Sequence, residues 1–329
     1  MQKGHIKKVF PGGNTSQGYF SFYNYIVTEE AQKIYILKGG PGVGKSTFMS
    51  YIGKKLQEKG YDLEYHYCSS SNGSLDGVVV PELKVALIDG TAPHVLEPKY
   101  PGVVEQIINL ADHWNQEELL KSKKEILEST QEVSRCFRRA YGYLAQGKIL
   151  KEEIKSYYLD SQALDFQGLN KLAMEIISEI FTEPSPNPIP RERHLFASGI
   201  TPQGPCNYMD TIFNPLKKRY VLEGDIGTGK STIVNKIYQR ALQLGYNVEA
   251  YHCSLVPSTI EHLIIPQLQI GVITSHKPHT YQPQPQDRVI NTAAFVNSKA
   301  LEPFQEDLKY AQVLFNEVFQ RGVYYISRA

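Results

Sequence analysis

Two stretches of the sequence place three or four glycines shortly before a lysine and a hydroxyl side chain. In the first stretch, residues 39–47, the glycines let the backbone fold back so that its N–H groups can surround a phosphate. The lysine can reach the outer phosphates of a nucleotide, and the serine hydroxyl can ligate Mg²⁺. A helix that starts at the last glycine would add the positive end of its dipole. The predicted binding residues of this loop are Gly39, Gly40, Gly42, Val43, Gly44, Lys45, Ser46 and Thr47.

The second stretch, residues 224–232, repeats the pattern. Each loop follows a short apolar segment, 33–38 or 218–223, and precedes a helical pattern, which is the context that a phosphate-binding loop requires. A glycine turn with an incidental lysine is the simpler alternative, and the repetition argues against it. The predicted binding residues of this loop are Gly224, Gly227, Thr228, Gly229, Lys230, Ser231 and Thr232.

The repeat extends well beyond the two loops. A shift of 185 residues places 33–98 on 218–283 without a gap, and 21 of the 66 aligned pairs are identical. Upstream, a shift of 186 places 13–18 on 199–204. A period this long indicates that a whole domain is duplicated and argues against a solenoid of short repeats. We expect the two halves to pack as a pseudo-twofold pair.

Acidic residues supply the candidate catalytic groups. Asp89 ends an apolar strand, where a carboxylate can hold Mg²⁺ opposite Ser46; capping of the next turn is the alternative. The second half has Thr274 at this place, which puts hydrolysis at the second site in doubt but not phosphate binding. Asp76, which aligns with Glu261, could act as a base or be a solvated loop acid. The predicted catalytic residues are Lys45, Asp76 and Asp89, and the predicted metal ligands are Ser46, Asp89 and Ser231.

Four further pairs of side chains occur in both halves: Cys68 and Cys253, His94 and His279, Tyr23 and Tyr208, and Arg139 and Arg321. Structural roles are the first interpretation for all of them. The alternatives are redox chemistry for the cysteines, proton transfer for the histidines and adenine stacking for the tyrosines. The arginines could reach across to the nucleotide of the other half.

Alternating elements predict an α/β fold made of two duplicated P-loop domains, each a parallel sheet with helices on both faces. Strands are predicted at 33–38, 62–68 and 84–88, with a strand or turn at 78–80 and a helix over 44–58. Residues 101–182 form apolar stripes at helical spacing, which predict a helical hairpin attached to the first domain. The domains are 1–100, the insertion 101–182, a proline-rich linker 183–192, and 193–329 with a C-terminal helix. Whether the chain is naturally short at that end or truncated stays open.

The composition of the chain argues against several classes of function. With 35 basic and 34 acidic residues the net charge is +1, so charge gives no basis for binding nucleic acid. No apolar run reaches transmembrane length, and the basic N-terminus is not followed by the apolar segment of a signal peptide. The four cysteines show no metal-ligand spacing, as in a reducing cytoplasm. We expect a cytoplasmic protein that does not bind membranes.

The two loops and Asp89 resemble the P-loop NTPase superfamily. The tandem arrangement is similar to a poorly characterised bacterial group of double P-loop proteins, described as ATPases or nucleotide kinases. Residues 13–18, 89–94 and 193–204 carry that resemblance, which spans nearly the whole chain. It implies ATP and Mg²⁺ as cofactors and no particular substrate. Gly90 follows Asp89 where ring-forming ATPases have a glutamate, which argues against a motor.

Two classes of function remain open from the sequence. One is an enzyme that hydrolyses ATP at the first site, or that transfers the γ-phosphate to a nucleotide or another small acceptor under the helical lid. The other is a nucleotide-gated switch whose insertion binds a protein partner. We rank an ATPase or switch first, because no acceptor motif is recognisable.

Overall fold

The computed structural model describes residues 3–27, 30–92, 95–183, 185, 187 and 189–329. The strands of the first half are β1 (Ile6–Val9), β2 (Gly12–Thr15), β3 (Gly18–Ser21), β4 (Lys33–Lys38), β5 (Leu63–Tyr67), β6 (Leu75–Val80), β7 (Val85–Asp89) and β8 (Glu105–Asn109). Those of the second half are β9 (Glu192–Leu195), β10 (Ser198–Thr201), β11 (Gly204–Asn207), β12 (Lys218–Glu223), β13 (Val248–His252), β14 (Ile260–Ile265), β15 (Ile270–Ser275) and β16 (Arg288–Asn291). The helices are α1 (Lys45–Glu58), α2 (Gln116–Lys121), α3 (Lys123–Asp160), α4 (Phe166–Ile180), α5 (Met209–Phe213), α6 (Lys230–Gln243), α7 (Ser298–Leu301) and α8 (Gln305–Ser327).

Within the described residues, each half forms a six-stranded mixed sheet, and the two sheets have the same topology. The strand order is β1-β5-β6-β7-β4-β8 in the first half and β9-β13-β14-β15-β12-β16 in the second. Neighbouring strands are parallel except at β6 and β14, which run antiparallel to both of their neighbours. The α/β class is therefore confirmed, and the shared topology is consistent with a duplicated domain.

The expectation of a purely parallel sheet is wrong at one strand in each half. Residues 78–80, which were predicted as a strand or a turn, belong to β6. The connections on either side of β6 are shorter than the dozen or more residues that a parallel crossover needs, so both are hairpins. Lys84 and its counterpart Gln269 turn the second hairpin of each half with φ of 54° and 55°.

Apolar side chains cover both faces of each sheet. Met49 on α1 packs in one cluster with Leu37, Leu63 and Val78, while the short 3₁₀ helix Tyr23–Tyr25 contributes to a second cluster with Ala86 and Ile88. In the second half, α6 covers one face and α5 the other. Among the described residues, no helix is both long and apolar enough to cross a membrane.

The region 101–182 joins both halves. It begins with β8, which is the edge strand of the first sheet. Its last helix, α4, buries its apolar stripe against α6 in the core of the second half, at Leu169, Leu172, Ala173, Ile176, Ile177 and Ile180. The hairpin that was expected to attach to the first domain therefore supplies part of the second domain's core. The linker 183–192 falls partly outside the described residues, and its last residue begins β9.

The two long helices, α3 and α8, pack along each other. Ala140 and Leu144 contact Phe319 and Val323, whereas Ile154 lies farther along with Ala311, so the helices run antiparallel. A Cβ at Gly322 would lie 2.9 Å from Leu144, which shows how closely the two helices approach. The N-terminal part of α3 extends past this contact, and Ile126 is exposed there.

The two halves meet through reciprocal contacts. The N–H of Phe10 donates to the carbonyl of Phe196 (2.9 Å), and the N–H of Phe196 donates to the carbonyl of Phe10 (3.0 Å). These phenylalanines are equivalent at the 186-residue shift. The expectation of a pseudo-twofold pair agrees with this exchange of bonds.

Four buried charges lie beside that contact and are also related by the repeat. Lys7 contacts Glu249 at 2.6 Å and Glu64 at 3.2 Å, and Arg193 contacts Glu64 at 2.6 Å and Glu249 at 3.3 Å. Burial opposes ionisation of the two glutamates, but the two cations hold both of their pKa values below the ordinary one. Each cation thus bridges carboxylates from both halves.

We expect this cluster to make the protein sensitive to acid. A carboxyl whose folded pKa lies below its unfolded pKa stabilises the fold fully above the unfolded value, and this stabilisation is lost as the pH falls through the folded value. The free energy of unfolding in urea should therefore drop between about pH 5 and pH 3. The double variant Glu64→Gln/Glu249→Gln should show a shallower drop, and an unchanged slope would contradict this role.

Candidate functional site

The two glycine loops have nearly the same backbone conformation. The φ angles are 140°, 79° and 90° at Gly39, Gly42 and Gly44, and 143°, 95° and 87° at their counterparts Gly224, Gly227 and Gly229. Side chains with a Cβ rarely adopt these angles, so the spacing of the glycines determines the shape of both loops. Each loop leaves the carboxyl end of β4 or β12 and enters α1 or α6.

The lysine of each loop turns back into the loop. Lys45 Nζ donates to the carbonyl oxygens of Gly39 (2.7 Å) and Gly40 (2.9 Å), and Lys230 Nζ donates to those of Gly224 (2.5 Å) and Asp225 (2.6 Å). The N-cap residue of the following helix is a glycine in both cases, so it offers no side-chain acceptor to the first N–H groups. In both loops, carbonyl oxygens therefore fix a lysine ammonium group next to the N-terminus of a helix. This arrangement is suited to binding an anion.

The first loop has its predicted partners beside it. Asp89 Oδ2 lies 3.6 Å from Lys45 Nζ, and Asp89 Oδ1 accepts a hydrogen bond from the N–H of Thr91. Ser46 Oγ accepts a hydrogen bond from the N–H of Leu75 on β6 (2.9 Å). Lys45, Ser46 and Asp89 thus converge at one edge of the first sheet.

Asp76 is buried on β6 next to this group, so the interpretation as a solvated loop acid is wrong. Burial raises the pKa of Asp76 to about 7, and the charge of Asp89 adds to the rise. A hydrogen bond with Tyr23 and the charge of Lys45 act in the opposite direction. A carboxyl with this pKa can accept a proton near neutral pH.

Among the described residues the first loop is open at Gly42 and Gly44, although Trp114 lies against Gly40, whereas the second loop is covered at the equivalent glycines. A Cβ placed on Gly42 or Gly44 would have no heavy atom of the described residues within 4 Å. A Cβ on Gly227 would lie 2.5 Å from Tyr158 of α3, and one on Gly229 would lie 2.6 Å from Leu169 of α4. The lid that the sequence suggested lies over the second loop.

The cover leaves a cavity of about 300 Å³ above the second loop. Ser231, Thr274 and His276 line it from the second half, while Phe166 and Asn170 line it from α4. The charged side chains in its wall are Lys151, Lys155, Lys230, Lys236 and Glu261. Four lysines against one glutamate favour an anionic ligand with several charges.

Glu261 is the counterpart of Asp76 but has the opposite electrostatic character. It lies 3.7 Å from Lys151 Nζ and 3.8 Å from His276 Nε2. Burial opposes its ionisation, yet the hydrogen bond from His276 and the charge of Lys151 hold its pKa well below the usual range. Because this carboxylate stays ionised, it is a poor proton acceptor at neutral pH. Burial also lowers the pKa of Lys230 to about 8.

The repeated tyrosines and arginines have packing contacts in the structure. Tyr23 is buried in the core of the first half, and Tyr208 stacks on Phe10 with ring centroids 5.0 Å apart. The guanidinium groups of Arg139 and Arg321 lie 5.6 Å and 5.4 Å from the ring centroids of Tyr325 and Tyr143, respectively. Both arginines therefore lie where α3 and α8 pack along each other, and the two arginine–tyrosine contacts are themselves a repeated pair.

The remaining repeated pairs have structural contacts in the second half. His279 is buried, with Nε2 3.4 Å from Ser254 Oγ. Cys253 is a free, buried thiol 3.3 Å from Lys151 Nζ. His94 lies outside the described residues.

Sequence reasoning missed the residues of the cover. Lys151 was not among the predicted site residues. It occupies the buried stripe of α3, one turn from Gly147 and Ile154. A lysine within an otherwise small or apolar stripe was the signal that could have found it.

The comparisons with known proteins reach only part of the first half. The family model described as "Nephrocystin 3, N-terminal" matches residues 20–83, which include β4, the first loop, α1, β5 and β6. No curated protein and no solved structure matches the chain.

Proposed function

We propose that this chain is a tandem P-loop ATPase that binds two molecules of Mg·ATP and hydrolyses ATP at the first loop. The second loop holds a nucleotide in a regulatory site that α3 and α4 cover. The observation that carries this proposal is the shared geometry of the loops, with matching glycine conformations and a lysine turned inward in each. A single such loop is a common turn; the same anion-binding arrangement built twice at equivalent strand ends supports a nucleotide site in each half.

The roles of the first site follow from its contacts. Lys45 now donates to the carbonyl oxygens of the loop. When a nucleotide binds, this lysine would donate to the outer phosphates instead. Asp76, with its pKa near neutrality, accepts a proton from the attacking water.

The side chains present at the first loop fit Mg²⁺. The Ser46 hydroxyl and the Asp89 carboxylate are the hard oxygen ligands that Mg²⁺ prefers, and both lie at the loop. In the described residues no group of three or more His, Cys, Asp or Glu could hold a metal, so the nucleotide phosphates would complete the shell. Bound Mg²⁺ would neutralise charge that develops on the phosphates. At the second loop Ser231 is present, but Thr274 supplies no carboxylate.

Phosphoryl transfer to a small acceptor is the second candidate function. The observation that favours it is the position of α3 and α4 over the second loop, as a lid covers a kinase site. Glu261 opposes it, because an ionised, paired carboxylate is a poor base for an acceptor hydroxyl. ADP release from ATP, with and without a panel of nucleosides and nucleotides, separates the two: stimulation by one acceptor would support the kinase.

We expect each loop lysine to account for one bound nucleotide. Isothermal titration with Mg·ATP should give two sites in the wild-type chain and one strong site in Lys45→Ala or Lys230→Ala. Loss of charge-assisted hydrogen bonds to phosphate should weaken the altered site by about 10- to 100-fold. Lys148→Met, which changes a lysine of α3 outside the cavity wall, is the control. Unchanged stoichiometry and affinity in both loop variants would refute the proposal.

A further inference from the structure

We propose that Lys151 distinguishes a nucleoside triphosphate from a diphosphate in the second site, by binding the terminal phosphate from outside the glycine loop. This inference rests on the proposed nucleotide site. It adds a phosphate-binding residue that is not part of the loop motif. Lys151 belongs to α3, which the chain supplies between its two halves, so the contact would link that helix to the nucleotide state.

The position of Lys151 is the first argument. Its side chain is nearly buried in the wall of the cavity, on the side formed by the cover. Its ammonium group lies 3.3 Å from Cys253 Sγ and 3.7 Å from Glu261 Oε1. A neutral thiol is a weak acceptor, so Glu261 is the main partner of this cation.

The charge balance is the second argument. Lys151 and Lys230 are both largely buried in one cavity, and both are attracted to Glu261. The carboxylates of Asp225 and Glu152 also attract Lys230 and Lys151, respectively, but the cavity wall itself holds four lysines against the single carboxylate of Glu261. A buried cation without a full partner is costly, and a phosphate in the cavity would supply the missing negative charge.

The third argument is that Lys151 lines the cavity from α3, not from the glycine loop, which leaves the terminal phosphate as its partner. The loop and Lys230 line the same cavity from the second half, and Lys151 lies beside Glu261 on β14. In the first half the counterpart of Glu261 is Asp76, whose pKa is raised in part by the charge of Asp89. The second half lacks the Asp89 carboxylate, so a protein cation takes over part of the charge compensation at the outer phosphate.

Titration calorimetry with Mg·ATP and Mg·ADP tests the inference in the full chain carrying Lys45→Ala, so that only the second site contributes. Lys151→Met should weaken ATP binding by about 10- to 100-fold and ADP binding by less than about 3-fold. Lys151→Arg, which keeps the charge, should retain most of the preference for ATP. Lys148→Met on the same helix should change neither affinity.

The outcomes separate this inference from the proposed function. Equal losses for ATP and ADP, or no loss for either, would overturn the role of Lys151 while leaving the nucleotide site in place. If the Lys45→Ala chain binds neither nucleotide although it is folded, the second nucleotide site is refuted and the inference with it. Should Lys151→Met not fold, Lys151→Gln, which keeps a hydrogen-bond donor toward Glu261, decides by the same ATP-to-ADP ratio.

Discussion

Asp89→Asn should reduce ATP turnover by about 10²- to 10³-fold, whereas Lys230→Ala should leave most of the turnover intact. Asp89 is the carboxylate beside Lys45 at the open loop, and the asparagine keeps its size while removing the charge that would hold Mg²⁺. Lys230 serves the covered loop, where Thr274 of β15 takes the place of Asp89 and the carboxylate present is paired. The measurement is steady-state phosphate release at saturating Mg·ATP.

The control for this comparison is Asp62→Asn, which changes an aspartate of the first half that does not contact the loop. It should keep wild-type turnover. Loss of turnover in Lys230→Ala together with activity in Asp89→Asn would show that the roles of the two sites are reversed.

Arg193→Met should destabilise the fold by about 3–5 kcal/mol, the largest loss that we expect from a single substitution away from the loops. The arginine is paired with Glu64 and Glu249 across the contact between the halves, and it also donates to the carbonyl oxygens of Tyr25 and Ile26. Methionine fills a similar volume but leaves two buried carboxylates with Lys7 as their remaining cation. Urea unfolding at pH 7 measures the loss.

Arg191→Met provides the matched control two residues away. The Arg191 side chain is 66% exposed and its partner Glu30 is 48% exposed, so solvent screens this ion pair and its loss should change the stability little. If both variants unfold at the same urea concentration as the wild type, the buried charges do not hold the halves together.

The local elements could be predicted from the sequence because their signals are local. The strand predicted at 33–38 is β4, and the helix predicted at 44–58 begins one residue later as α1. The glycine spacing determined both loops, because only glycine tolerates their φ angles. Comparison of the halves aligned Asp76 with Glu261 and Cys68 with Cys253, and both pairs lie at equivalent strands.

The remaining features depend on contacts between distant segments, which periodicity does not reveal. The orientation of β6 is an exception: an apolar run at 78–80 has the same composition in a parallel or an antiparallel strand, but the short connections on either side of it could have decided between them. The stripe on α4 indicated a buried face but not that α6 would be its partner. The charge state of Glu261 depends on Lys151, which lies more than a hundred residues away in the chain.

The asymmetry of the two sites is the main consequence of the fold. The halves share one topology and one loop geometry, but α3 and α4 cover only the second loop within the described residues. A site with a carboxyl of pKa near neutrality suits turnover, and a covered site lined by four lysines suits retention of a triphosphate. The proposed difference in function between the two sites follows from the packing of α3 and α4 over the second loop.

The most direct measurement of this account is the nucleotide content of the chain after brief incubation with excess Mg·ATP, rapid removal of free nucleotide and acid quenching. The account predicts two nucleotides per chain, of which one has become ADP while the other remains ATP. It also predicts that Lys230→Ala loses the retained ATP and that Lys45→Ala loses the ADP. A chain that holds no nucleotide, or two nucleotides hydrolysed at the same rate, would contradict it.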